Sequence, residues 1–325
     1  MTVTDIESFE GFPMRVFVTG ASGWIGSALV PELLGAGHEV AGLARSDSSA
    51  AALEAAGAEV VRGSLDDLGV LRDAAAGADG VVHLAFAHDI AFSGGFEQAA
   101  GIDRRTIEAF GDALAGSDRP FVLASGLMLI APGRVATEAD EAVDGPATGP
   151  RVRHDNAVAT VALAGRGVRS SVVRLPPTVH GDGDPGFMAT LVDIARKRGT
   201  AGYVGDGAVR WPAAHRSDVA RLFRLALEKA PAGSVLHGNA ETGVELREVA
   251  GAIGRGLGVP AAPVPAAEAE EHFGWLGPFL GLDSPASSAH TQELLGWTPE
   301  GPGLIPDLDA GHYFTEGRTG AFLVS

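Results

Sequence analysis

The chain has 325 residues, with 24 Lys and Arg against 41 Asp and Glu and a formal net charge of −17. That charge repels nucleic acid and anionic membranes, so neither is an expected partner. There are no cysteines, which excludes disulfides, thiolate catalysis and Cys-ligated metal sites. A cysteine-free chain fits a reducing, cytoplasmic compartment.

The first residues, 1–13, are acidic and lack an apolar core, unlike a signal peptide. Residues 14–19 are a short apolar strand, and residues 22–34 follow with helical spacing, placing Ile25, Leu29, Val30 and Leu33 on one face. Strands are then predicted at 39–43, 59–62, 80–85, 121–125 and 169–175. Helices are predicted between them at 48–56 (with Ser48 as N-cap), 66–76, 97–114 and 155–164. Strands alternating with helices give parallel βαβ units, a Rossmann-like doubly wound α/β sheet. The second half is less regular. Helices are predicted at 218–228 and 245–257, with turns at 181–186 and 202–207, a loop at 261–267 and one short helix near 291–295. This predicts a first, α/β domain over 14–175, the one that the glycine motif below marks as dinucleotide-binding. Over 176–325 it predicts a smaller, mainly helical substrate lobe without a second sheet, except that a strand near 234–237 returns to the first.

Residues 19–26 read TGASGWIG, with glycines at Gly20, Gly23 and Gly26. The motif follows an apolar strand directly and opens an amphipathic helix. In that context glycines allow a tight turn, close approach of a pyrophosphate, and tight packing of helix on strand. The helix N-terminus then offers N–H groups to the phosphates.

These residues resemble the fingerprint of the short-chain dehydrogenase/reductase superfamily, in its extended or atypical branch. Residues 81–86 (VVHLAF), 122–126 (VLASG), 174–181 (RLPPTVHG) and 211–220 (WPAAHRSDVA) resemble further segments of the same family. Together they extend the resemblance over about 14–300. In particular it is to bacterial NAD-dependent epimerase/dehydratase-like proteins, which include an atypical group without the usual tyrosine. The resemblance implies an oxidoreductase with a nicotinamide cofactor held by Gly20, Ser22, Gly23, Trp24, Ile25 and Gly26. Further contacts would come from Ser64 and Leu65 beside the adenine, Leu84, Ala85 and Phe86 after the fourth strand, and Pro176 and Thr178 after the sixth.

The second strand ends in Gly42-Leu43-Ala44-Arg45-Ser46-Asp47. An acid for the ribose 2′-OH is missing from the strand end, and Arg45 with Ser46 suits a 2′-phosphate, which favours NADP(H). NAD(H) is the alternative, with Asp47 on the ribose and Arg45 an ordinary surface charge.

The family's proton donor is a Tyr four residues before a Lys. The chain has only Tyr203 and Tyr313, and neither Lys197 nor Lys229 stands at that spacing from one. Counting back from the sixth strand puts the Lys equivalent at Arg153 and the Tyr equivalent at Gly149. Arginine can hold ribose hydroxyls but cannot relay a proton. Ser125 matches the serine that orients a substrate carbonyl. His154 is the first candidate for general acid; His88, His180, His215 or a bound water are the others. The spacing of His180, Asp182 and Asp184 fits a glycine-rich loop as well as a metal, and no metal is assigned.

The expected activity is hydride transfer from NADPH to a small, largely apolar carbonyl or imine. A non-catalytic NADP-binding sensor is the second reading, and a nucleotide-sugar epimerase or dehydratase the third. The resemblance also implies a homodimer through the helices at 97–114 and 155–164.

Overall fold

The computed structural model describes residues 13–142 and 150–315, apart from the side chains of Phe92 and Pro150. Its strands are β1 Arg15–Thr19, β2 Glu39–Ala44, β3 Glu59–Arg62, β4 Gly80–His83, β5 Pro120–Gly126, β6 Arg169–Leu175, β7 Thr178–His180, β8 Ala201–Val204, β9 Arg210–His215, β10 Ser234–His237, β11 Glu241–Glu245 and β12 Ala261–Val264. Its helices are α1 Gly26–Gly35, α2 Asp47–Ala55, α3 Leu68–Ala76, α4 His88–Phe92, α5 Phe96–Leu114, α6 Pro150–Ala162, α7 Phe187–Arg198, α8 Arg216–Lys229, α9 Leu246–Leu257, α10 Ala269–Phe273, α11 Ala289–Leu295 and α12 Leu304–Asp309.

Seven parallel strands form the large sheet, in the order β10-β6-β5-β4-β1-β2-β3. The order reverses at β1, so a crevice opens beyond the carboxyl ends of β1 and β4. Strand alternation sorts the side chains into two layers. Val16, Val18, Val82, Val122 and Ala124 face α1, α2 and α8. Phe17, Val81, Phe121 and Leu123 face α3, α5 and α6. β10 pairs in parallel with β6, so the chain returns to the large sheet after building part of the smaller lobe.

The lobe contains two small sheets where sequence reading expects none. β7, β9 and β11 form one, with β9 central, and β8 pairs with β12 in parallel. Residues 261–267 read as a loop because of their prolines. Pro263 instead sits opposite Tyr203 in the two-stranded pair, where a missing donor does not interrupt a central strand.

Other differences are local. α1 starts at Gly26, because residues 20–25 form the glycine turn. Ser46, not Ser48, caps α2, its hydroxyl accepting from Ser49 N at 3.1 Å. α6 starts five residues earlier than expected, at Pro150, a residue suited to a first turn. Gly149, the tyrosine position implied by the family, and the first twelve residues lie outside the described residues.

Candidate active site

The glycine turn is built as its spacing demands. Gly20 has φ +68°, and a Cβ there would lie 2.8 Å from Ala85 N, so side chains are excluded both by conformation and by the close approach of the segment after β4. A Cβ on Gly26 would lie 2.1 Å from Gly20 O, which fixes the close packing of α1 on the turn. Ser22 and Gly23 are exposed, and no side chain caps α1, whose N–H groups from Ser27 onward bond to Gly23 O and Ile25 O, so only the turn and the very first N–H face outward. This cradle fits a pyrophosphate. Trp24 closes one side of it: its Nε1 donates to Val179 O at 2.9 Å, and the Arg216 guanidinium lies 4.2 Å from its ring centre. Ile25 is half-buried against the core.

The rest of the expected cofactor set lines the same carboxyl edge. Leu84 N donates to Thr19 O at 3.2 Å, and Ala85 N to Thr19 Oγ1 at 3.3 Å. Ser64 donates from both N and Oγ to Asp67 Oδ2, and Leu65 O accepts from Thr106 Oγ1. Pro176 is buried, and Thr178 Oγ1 is buried without a hydrogen-bond partner among the described residues.

Arg45 is exposed at the end of β2, 3.9 Å from Asp89. Ser46 is engaged as the α2 cap. The register sets Arg62, the last residue of β3, beside Ala44, and its NH2 pairs with Asp47 at 2.8 Å. Two guanidinium groups therefore flank this corner, and Asp47, the acid that would serve a ribose, is already paired. Arg62 escaped sequence reading because only the parallel β2–β3 register brings it there.

A buried polar row crosses the sheet on the α5–α6 side. Thr19 Oγ1 lies 2.5 Å from His83 Nδ1, and His83 Nε2 lies 3.2 Å from Asp103 Oδ1. Asn156 Nδ2 donates to Asp103 Oδ2 at 2.8 Å and to Ala100 O at 2.9 Å. Burial opposes ionisation of Asp103, but His83, Arg153 and Asn156 outweigh it and hold the carboxyl below its ordinary value. Asp103 is a carboxylate on the buried stripe of α5, between Ala99 and Ile107. That break in the apolar pattern was the sequence signal available for it.

Arg153, whose charge acts on Asp103, reaches the backbone of β5 at Ala124, the residue before Ser125. Ser125 follows Phe121 and Leu123 in alternation, so its side chain faces α5 and α6; its Oγ is buried and unpartnered among the described residues. Arg153 projects from α6, donates to Ala124 O at 3.4 Å and lies 4.4 Å from the Phe86 ring centre. Its Nε is also buried and unpartnered among those residues. Burial pushes its guanidinium below its ordinary value while Asp103 opposes the fall, yet arginine stays cationic.

The histidines do other work. His154 Nε2 donates to Met128 O at 2.9 Å, and burial, helped by Arg174, Arg153 and Arg151, pushes its pKa down to about 4. The Nε2 hydrogen of His154 thereby anchors the segment after β5 to α6. Burial and Arg153 likewise bring His88 to about 4. His180 pairs with Asp307 at 2.9 Å, and His215 caps α8 through Ser217. Among the described residues no group of three or more His, Asp or Glu is arranged to hold a metal.

The NAD-dependent epimerase/dehydratase family model matches residues 16–99. An uncharacterized protein of Schizosaccharomyces pombe is 46% identical over 302 residues, 93% of this chain and 100% of its own. A ketoreductase of Stigmatella aurantiaca, named for a 4-hydroxy-2-methyl-3-oxo-4-farnesyl-3,4-dihydroquinoline-1-oxide, is 29% identical over 80% of each chain. Among solved structures, MoeE5 in complex with UDP-glucose and NAD superposes with a TM-score of 0.70, at 25% identity over 92% of this chain and 98% of that one. A double mutant of DesIV, a dTDP-glucose 4,6-dehydratase from Streptomyces venezuelae, has the same fold, with a TM-score of 0.73 at 21% identity over 94% of this chain and 98% of its own. With the glycine cradle and the reversing parallel sheet, these likenesses establish that the chain belongs to the NAD-dependent epimerase/dehydratase family, in the extended or atypical branch of the short-chain dehydrogenase/reductase superfamily.

Proposed function

We propose that the protein is an NADP-dependent reductase acting on a largely apolar carbonyl compound, with Ser125 and Arg153 at the carbonyl oxygen. The observation that carries this reading is the pair of unfilled buried donors, Ser125 Oγ and Arg153 Nε, at the carboxyl edge of β5. Buried donors without partners are costly, and a ligand oxygen would satisfy both. The cofactor supplies the hydride when bound. Ser125 would orient the carbonyl, and Arg153 would stabilise the negative charge that develops on its oxygen. Arg153 cannot give that oxygen its proton, which would come from water. A fixed cation at this point also opposes a cationic imine, so the carbonyl is favoured of the two substrate types. The ketoreductase relative supports the same choice.

Arg45 and Arg62 support NADP(H) over NAD(H). We further propose a cytoplasmic homodimer through α5 and α6, in keeping with Val158, which is 63% exposed on α6.

Titration of NADPH by fluorescence, followed by its oxidation with a panel of ketones, aldehydes and cyclic imines, tests the reading. Turnover lost in Ser125→Ala supports it, and turnover that survives Ser125→Ala removes the site assignment. The second reading, a cofactor-binding sensor, draws on the commitment of His154 to Met128 O. It is favoured if NADPH binds and no substrate is reduced.

A further inference from the structure

We propose that Met128, Phe187, Trp275 and Phe279 form a wall that binds a flat, uncharged, ring-bearing carbonyl compound; this names the substrate class for the reductase reading above and rests on it. Phe187 is the hub. Its ring centre lies 5.7 Å from that of Trp211, 5.6 Å from Trp275 and 6.1 Å from Phe279. Trp211 is fully buried and donates from Nε1 to Leu282 O at 3.1 Å, giving the cluster a fixed floor. The other three rings are only half-buried. The 3-10 segment Gly274–Gly281 buries Leu276 and Leu280 in the lobe core and leaves Trp275 and Phe279 partly open.

Two chain segments tie this cluster to the proposed reaction site. The first leaves β5 after Gly126, next to Ser125, and reaches Met128, which packs against the lobe core. Met128 is held from α6 by the His154 hydrogen bond to its carbonyl. The next residue, Leu129, sits at φ +66°, a conformation that a leucine keeps only when its surroundings enforce it. The second segment runs from Thr178 through the turn after β7 and delivers Phe187 as the first residue of α7. That turn is pinned where Asp184 accepts from Gly186 N at 2.6 Å and from the Tyr313 hydroxyl at 2.9 Å. Both segments leave the carboxyl ends of large-sheet strands, β5 and β6, the edge at which ligands of such sheets bind. Rigid aromatic rings favour planar partners through offset and edge-on contact. The net charge of −17 disfavours an anionic substrate, and Arg153 a cationic one.

The test compares 1-indanone and 1-tetralone with 2-butanone on the NADP-loaded protein, by quenching of tryptophan fluorescence and by KM in NADPH oxidation. The bicyclic ketones should bind more tightly. Phe187→Ala should raise their KM about tenfold while changing that of 2-butanone less than about threefold. Trp275→Phe, which keeps a ring, should retain most of the preference and guards against a variant that fails to fold. Equal losses for cyclic and acyclic ketones, or no binding of the bicyclic ones, would overturn the wall. Bicyclic ketones that bind and are not reduced would sink the reductase reading and leave the wall standing. Reduction of 2-butanone without bicyclic binding would do the reverse.

Discussion

His83 Nε2 stands 3.2 Å from Asp103 Oδ1, with both side chains buried, and so joins β4 to α5 beneath the cofactor crevice. Asp103 also receives Asn156 from α6 and is the carboxylate that opposes the fall in the Arg153 pKa. Asp103→Ala would strand a buried histidine, an amide and a cation together, and should cost about 3–5 kcal/mol. Asp103→Asn keeps a polar partner and should cost less. Urea unfolding measures both; an alanine variant no less stable than the asparagine one would show that the row is not a stabilising unit.

Arg45→Ala and Arg62→Ala should each weaken NADPH by roughly one to two decades, from about 1.5–3 kcal/mol per charge-assisted contact, and leave NADH nearly unchanged. Asp47→Asn should act in the opposite direction on NADPH, because it frees Arg62 and removes a repelling carboxylate. Paired dissociation constants at one ionic strength check this. An unchanged NADPH/NADH ratio in both arginine variants would remove the support for NADP.

His154 gives a pH signature. Its folded pKa, about 4, lies below the ordinary 6.5, so the unfolded chain binds the proton more readily. Its contribution is fully present above pH 6.5 and is lost as pH falls toward 4. The size is about 3 kcal/mol. His154→Gln keeps a side-chain donor for Met128 O and does not titrate, so its stability should fall less steeply over that window. Parallel slopes for variant and parent would contradict the burial of a neutral ring.

The first half of the fold was legible because its signals are local. A glycine triplet between strand and helix, alternating apolar runs, and helical stripes each occupy a few consecutive residues. The lobe was less so, because β8 and β12 are four residues each and carry Gly202 and Pro263. Their pairing depends on contact between segments sixty residues apart in register, Ala201 with Ala261. The site divides in the same way. Ser125, Arg153 and the glycines lie in or beside recognisable motifs. Arg62, His83, Asp103 and Asn156 gain their place from register and helix packing, and the burial of His154 is set by the same packing, which its residue type does not reveal.

The proposed dimer through α5 and α6 should be abolished by Val158→Arg, which places a charge at the exposed apolar side chain of α6. Sedimentation at micromolar concentration should show the parent as a dimer and the variant as a monomer. A monomeric parent would refute the interface.

The decisive measurement is transfer of deuterium from NADPH carrying deuterium at both nicotinamide C4 positions to the carbonyl carbon of a ring ketone, read by mass spectrometry of the alcohol. One deuterium per turnover should appear on that carbon, with transfer lost in Ser125→Ala. Saturating NADPH binding with no deuterium in any product would contradict it and identify a protein that holds the cofactor without spending it.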